Sequence, residues 1–299
     1  MQHTQLSRRS AGVKLSDIDW EKQYLTFIPV VDTSFRWAQR ATSGTLEYST
    51  NEGQTWVTIA NGESTPTITA GSKVLWRGNL KPNTTSNNGG VGTFSASGNY
   101  NACGNTMSLL FYDNYYNSKL NSAEYNYALR RLFYKDIYIL SAPLLPATTL
   151  VTYCYYQMFN GCTSLTTPPK LPATTLVDRC YGSMFHSCTS LTTAPELPAT
   201  TLANSCYASM FYRCTSLVTA PKVLPATTLA NSCYYNMFYR CTKLNYIKCL
   251  ATDISASGCL DDWVRSVASS GTFVKATGMT KWPTGASGIP EGWTVVDNS

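Results

Sequence analysis

LPATTLVDRCYGSMFHSCTSLTTAPE, residues 171–196, is one copy of a unit that recurs four times, LPATTL-x3-C-Y-x2-M-F-x2-C-T-S-L with T-K-L closing the last. The LPATTL segments start at Leu145, Leu171, Leu197 and Leu224, in steps of 26, 26 and 27 residues. A fixed period in this range marks a stacked-repeat architecture, in which each coil packs mainly on its two neighbours. Such a chain presents a long regular surface rather than one deep pocket, which favours binding over catalysis.

Within one copy, Cys180, Met184 and Cys188 fall at i, i+4 and i+8, with Phe185 beside them. The spacing predicts the apolar stripe of a helix, capped by Thr174 or Thr175. Ser190–Thr193 favours a short strand, and Pro195 with Pro198 ends it and turns the chain. Each coil is therefore expected to run helix, strand and turn, with Leu, Met, Phe and Cys stacked inward in ladders.

The stack extends beyond its obvious copies. Aligning Leu132–Phe133 with Met–Phe puts Ala128 and Asp136 at the two cysteine positions and Ile139 where Leu165 stands. At the other end LATDI (250–254) echoes LPATTL, Trp263–Val264 follows Cys259 by the usual four-residue step, and Val267 takes the second cysteine position. Worn terminal copies are expected of capping repeats. The count becomes about six coils, four regular and two degenerate.

Upstream, YLTFIPV (24–30), TLEYST (45–50), TWVTIA (55–60), KVLWRG (73–78) and VGTFSAS (91–97) are rich in β-branched and aromatic residues. They read as strands. Turns are expected at Asn51–Gly53, Asn61–Gly62 and Ala70–Gly71, and KPNTTSNNGG (81–90) reads as an exposed loop. The predicted class is α+β: an arm at 1–20, a β-sandwich-like domain at 21–100, a repeat solenoid at 101–270 and a capping segment at 271–299 whose GIPEGWTVVD (288–297) forms a terminal strand.

Only 13% of the 299 residues are charged, while Tyr, Thr, Ser and Asn abound, and the formal charge is +6. Apart from Arg8–Arg9 and Arg130–Arg131 the cations are scattered, unlike the concentrated basic face and recognisable module of nucleic-acid binders. No apolar stretch is long enough to span a bilayer. The N-terminal residues lack the apolar core of a secretory signal, so neither nucleic acid nor membrane insertion is expected.

Eight of the eleven cysteines form within-coil pairs: Cys154/Cys162, Cys180/Cys188, Cys206/Cys214 and Cys233/Cys241. On a helix such partners lie about 12 Å apart, beyond disulfide reach. Zinc is disfavoured by the lack of CxxC and by a single nearby histidine, His186. Buried free thiols packed as small apolar groups are expected, in keeping with folding in a reducing compartment.

These coils closely resemble the BspA-like leucine-rich repeats of bacterial surface proteins, with their F-x2-C-x2-L core. They are most similar to a gut-bacterial and phage subgroup with tandem LPATTL…CYxxMFxxCTSL units. LEYSTNEGQTW (46–56), GNTMSLL (104–110), NYIKCLATDIS (245–255) and GIPEGWTVVD (288–297) resemble the flanks of that subgroup, so the likeness spans about residues 45–299. It implies a leucine-rich-repeat solenoid and a role in attachment or protein interaction. The cysteine-free first coil, the 27-residue step at Val223 and the N-terminal arm depart from the pattern.

No catalytic constellation stands out. The two histidines are His3 and His186, and His186 occupies a position held by Asn160, Tyr212 and Tyr239 in sister coils. Asp261–Asp262 are adjacent and would point apart on a helix, unlike a glycosidase carboxylate pair. No Gly-rich phosphate loop is present. Neither an enzymatic activity, a cofactor nor a metal is expected.

The contrast between fixed and varying columns is more informative. After Met–Phe the columns read Asn160, His186, Tyr212, Tyr239 and then Gly161, Ser187, Arg213, Arg240; before Met they include Tyr156 and Tyr235. Free drift of solvent-facing positions accounts for such variation. The functional alternative is a ligand surface made of Asn160, His186, Tyr212, Tyr239, Arg213, Arg240, Tyr156 and Tyr235, residue types that contact carbohydrate or protein at low entropic cost. Two roles fit. One is a phage virion fibre or receptor-binding component, docked on other virion proteins through its arm and contacting a host cell-surface glycan or protein, with a homo-oligomer among the partners open to it. The other is a bacterial cell-surface adhesin. The reducing-compartment cysteines and the absent export signal favour the virion.

Overall fold

The computed structural model describes residues 19, 22–85, 89–117 and 119–299. The predicted arm at 1–20 lies outside them except for Asp19, as do residues 86–88 of the predicted loop. Among the regular elements of the described residues strands predominate, with little helix. The strands are β1 (Leu25–Pro29), β2 (Phe35–Gln39), β3 (Leu46–Ser49), β4 (Val57–Thr58), β5 (Val74–Gly78), β6 (Gly92–Ala96), β7 (Tyr100–Cys103), β8 (Ile139–Ser141), β9 (Tyr246–Cys249), β10 (Thr272–Lys275) and β11 (Thr294–Asp297). The α-helix found among them, α1 (Ser108–Phe111), is four residues long.

All five N-terminal strand expectations coincide with strands. Two more went unread, β2 and β7. In β2, buried Phe35 and Trp37 flank exposed Arg36, a period-2 alternation that betrays a half-buried strand. β2 pairs antiparallel with β6, while the larger sheet runs β4-β3-β5-β1-β7-β8. Phe27 and Trp76 of the larger sheet meet Phe35 and Phe94 of the smaller, with ring centroids 4.8–6.5 Å apart. Tyr100 joins them against Phe27 and Phe35 at 5.0 Å. At the Asn51–Gly53 turn, Glu52 (φ 59°) and Gly53 (φ 84°) take the left-handed conformation that a tight hairpin requires.

The predicted helix of each repeat is not there. The segment around Cys154–Cys162 is a chain of overlapping β-turns. The Cys154, Tyr156, Met158, Asn160 and Cys162 amides donate three residues back, to Val151, Tyr153, Tyr155, Gln157 and Phe159 carbonyls, at 3.0–3.2 Å. The alternate amides, Tyr153, Tyr155, Gln157, Phe159 and Gly161, instead donate to Asp178, Cys180, Gly182, Met184 and His186 of the next copy, at 2.8–3.1 Å. Half of the amides thus close turns and half join copies, so none is buried unpaired. Turns of this kind need a positive φ at alternate third positions. It falls every four residues, at Tyr153, Gln157 and Gly161, and at the matching sites of each copy. A four-residue turn repeat puts i, i+4 and i+8 on one side, so the Cys–Met–Cys stripe is buried without a helix. The expected strand after it contracts to single parallel bridges, Ser141↔Thr167 and Thr193↔Thr219.

Inward side chains stack copy on copy. Phe133, Phe159, Phe185, Phe211 and Phe238 form one column with centroids 5.4–5.7 Å apart and planes within 8°. Tyr155, Tyr181, Tyr207 and Tyr234 form a second, ending on Trp263. The thiols of Cys162, Cys188, Cys214 and Cys241 donate to carbonyls of the preceding copy, Phe133, Phe159, Phe185 and Phe211, at 2.9–3.1 Å. All eleven cysteines are free. Each fully buried Phe stabilises by roughly 1.5–3 kcal/mol.

Both ends of the stack are closed by what flanks it. Ala128 and Leu132 carbonyls of the first coil accept from Val91 and Phe94 amides, at 3.1 and 2.8 Å, and β8 pairs with β7. At the other end the Val264 amide donates to Ala286, and the Trp263 indole to the Gly288 carbonyl at 2.7 Å. β9, β10 and β11 form a parallel sheet there, with the predicted terminal strand as its outer edge.

Candidate functional site

The turn ladders leave two side chains in each four-residue step facing outward, so equivalent positions of successive copies form neighbouring columns. His186, Tyr212 and Tyr239 form such a column. The His186 ring lies 4.6 Å from Tyr212 with planes 7° apart, and Tyr212 lies 4.8 Å from Tyr239 at 4°. Asn160 precedes His186 in this column, and its backbone bonds the Gln157 carbonyl and the Lys135 amide. The next column holds Arg213 and Arg240. Their guanidinium carbons lie 5.5 Å from the Tyr212 and Tyr239 centroids, and Arg265 approaches Tyr239 at 5.8 Å. Arg213 and Arg240 are exposed, while the three rings are half-buried. Six of the candidate residues therefore share two neighbouring columns.

Tyr156 and Tyr235 stand apart from them. The Tyr156 ring folds over Gly182 of the next copy, where a β-carbon would meet it at 2.9 Å. It contacts Tyr153 at 5.2 Å and Arg130 at 5.4 Å. Tyr235 is 43% exposed without a ring neighbour among the described residues.

A second aromatic and cationic group at the N-terminal end of the face was missed. Tyr127 stacks on Tyr153 at 4.5 Å and 12°. Arg179 hydrogen-bonds the Tyr153 hydroxyl and lies over its ring at 5.5 Å. The Arg131 guanidinium donates to Gln157 Oε1 at 2.6 Å, and Lys135 and Arg131 flank Tyr134 at 5.3 and 5.1 Å. Reading the column before the first cysteine (Tyr127, Tyr153, Arg179) through the worn first coil would have found it.

The electrostatics of the face are one-sided. Among the described residues, Arg131, Lys135, Arg179, Arg213 and Arg240 have no carboxylate within 4.0 Å, and Arg265 reaches Asp262 at 3.4 Å. Burial holds the His186 imidazole below its ordinary value and nearby Arg213 adds to this, so the ring is neutral at pH 7. Its Nδ1 lies 2.9 Å from Ser187 Oγ. Because the rings lie on one another, the column offers ring edges, hydroxyls and guanidinium donors rather than open aromatic faces.

Concavities lie elsewhere. A groove of about 460 Å³ runs along Pro168, Pro169, Pro172, Pro195 and Pro198. A cavity of about 280 Å³ at the junction of the N-terminal sheet and first copy is lined by Tyr115, Tyr116, Lys119 and Pro146. Neither holds a histidine or cysteine. Among the described residues no three His, Cys, Asp or Glu side chains gather as a metal site, and no helix is long and apolar enough to cross a membrane.

These features define a stack of repeats whose outward side chains line up in columns. No protein-family model matches the chain, and neither a curated protein nor a solved structure shows significant similarity to it.

Proposed function

We propose that this chain is a non-enzymatic attachment protein, a phage virion fibre or receptor-binding component whose leucine-rich-repeat solenoid of about six BspA-like coils contacts the host cell surface. The observation that carries this reading is the His186–Tyr212–Tyr239 column with Arg213 and Arg240 beside it. It is a variable, donor-rich ridge on an otherwise repeated frame. A surface glycan or protein lying along the ridge would meet several equivalent contacts in register, which suits avidity rather than a single deep pocket.

The eleven free thiols favour a virion protein over a bacterial adhesin. Free thiols packed in a core suit folding in a reducing cytoplasm and release by lysis, whereas export favours disulfides. The arm at 1–20 docks on other virion proteins in this reading. The test is mass spectrometry of purified phage particles against bacterial outer-membrane fractions, with a chain lacking residues 1–20 in parallel. Recovery of the full chain in particles and exclusion of the folded truncation are expected. Recovery in the outer membrane only, or normal incorporation of the truncation, overturns the assignment.

A further inference from the structure

We infer that the ridged face binds an acidic polysaccharide, a linear carbohydrate polymer bearing carboxylate, sulfate or phosphate groups, laid along the stack; this rests on the attachment reading above. The first observation is the unneutralised charge. Arg131, Lys135, Arg179, Arg213 and Arg240 lie on one face, and among the described residues none has a carboxylate within 4.0 Å. Acidic side chains near the face are few: Asp178, exposed beside Arg179, and Asp261 and Asp262 in the last copy, where Asp262 holds Arg265. Arg213 and Arg240 come from equivalent positions of adjacent copies, so their like charges are held at the repeat spacing. A polymer with anions at intervals relieves that repulsion along its whole length, where a single small anion relieves one step of it.

The second observation is how the aromatic rings are used. His186, Tyr212 and Tyr239 cover one another at 4.6–4.8 Å, and Tyr127 and Tyr153 do so at 4.5 Å. Single-stranded nucleic acid is held by bases stacking on open aromatic faces. Here the inner faces are already occupied by neighbouring rings. What remains outward are the phenolic edge of each ring and the guanidinium forks, which suit the hydroxyls and anions of a charged sugar chain. A protein partner needs a desolvated anchor pocket, which a ridge does not offer. The two cationic groups meet in the copy at 171–196, which carries both Arg179 and His186, with the small residues Gly182 and Ser183 between them. Taking about 4.8 Å per copy, the ridge from the first coil to the last is roughly 24 Å long, enough for several sugar units.

The test uses the full chain with polygalacturonate, dextran sulfate, neutral dextran and single-stranded oligonucleotide, each titrated at two or more salt concentrations. Arg213→Gln with Arg240→Gln, and Arg131→Gln with Arg179→Gln, remove exposed or half-exposed charge; circular dichroism confirms that they fold. The expected result is binding to polygalacturonate or dextran sulfate that weakens as salt rises, weakened a further tenfold or so by either double variant and with a shallower salt dependence. Preference between the two polymers distinguishes carboxylate from sulfate or phosphate esters. Equal binding to neutral dextran, tighter binding to the oligonucleotide, no binding to any polymer, or unchanged binding by both folded variants would overturn the inference. Adsorption to bacterial cells separates it from the attachment reading. If Tyr212→Ala with Tyr239→Ala abolishes adsorption while both arginine variants adsorb normally, the attachment face stands and the acidic ligand falls. If none of the variants alters adsorption, the face itself is not the attachment surface.

Discussion

The Tyr100 hydroxyl donates to the Asp136 carboxylate at 2.9 Å in the buried junction between β7 and the first coil. Asp136 stands where Cys162, Cys188, Cys214 and Cys241 stand in later copies. The column's thiols each donate to a carbonyl of the copy before them, and the first coil has no such copy. An acceptor for Tyr100 takes the place of a donor, joining the stack to the β-domain.

This junction makes stability depend on pH. Burial raises the Asp136 pKa from 3.8 to about 6, against its hydrogen bonds from Tyr138 and Tyr100. A carboxyl with a raised folded pKa favours the protonated folded state. Its contribution is fully present below about pH 4 and is lost as pH rises through about 6. The span corresponds to about 3 kcal/mol. Urea unfolding of the wild type and Asp136→Asn between pH 4 and 7 measures it. The wild type is expected to lose stability relative to Asp136→Asn over that window; parallel pH profiles would refute the assignment.

The turn ladder makes a backbone prediction that a helix does not. Ser209 has φ 55°, at the position where Gln157, Ser183 and Asn236 are left-handed in the sister copies. Ser209→Gly should cost nothing or stabilise by about 0.5–1 kcal/mol, whereas Ser209→Val should destabilise by about 1–3 kcal/mol. In a helix the order would be reversed, since glycine is a poorer helix former than valine. Thermal melts of the two variants decide.

The phenylalanine column carries much of the core. Phe185, fully buried between Phe159 and Phe211, should cost about 3–5 kcal/mol when changed to Ala. Exposed Val218, by contrast, should tolerate Ala within about 0.5 kcal/mol. Denaturant midpoints compare them.

The thiols should be inert in the native state. Burial raises the Cys154, Cys214 and Cys249 pKa values to about 12, and lifts the other repeat thiols as well. Iodoacetamide at pH 8 should therefore leave the repeat cysteines unmodified in the folded chain and alkylate all eleven in denaturant. Rapid native alkylation at Cys188 or Cys214, read by mass spectrometry, would show that the ladders are not closed.

The period, the two worn end coils and five N-terminal strands were legible because each rests on spacing or β-rich composition. The helix was misread because nine residues do not separate a period of 3.6 from a period of four. Over Cys180 to Cys188 both put Cys, Met and Cys on one side. The left-handed positions that distinguish them are filled almost throughout by other residues, such as Ser183, Gln157 and Arg213, so only Gly161 and Gly258 hinted at them. Of the face, the His186–Tyr212–Tyr239 column was readable because it varies against fixed neighbours. The Tyr127–Tyr153–Arg179 group was not, since its first member lies in a coil without cysteines. The cysteine pairs were sought along a coil, while the thiols that sense one another, such as Cys154 and Cys180, belong to adjacent copies.

The most direct measurement of the attachment role is adsorption of purified chain to bacterial host cells, comparing wild type with Tyr212→Ala plus Tyr239→Ala at matched thermal stability. The expected result is at least a tenfold loss of cell-bound protein with a melting temperature within a few degrees of wild type. Undiminished adsorption by the folded double variant would contradict it.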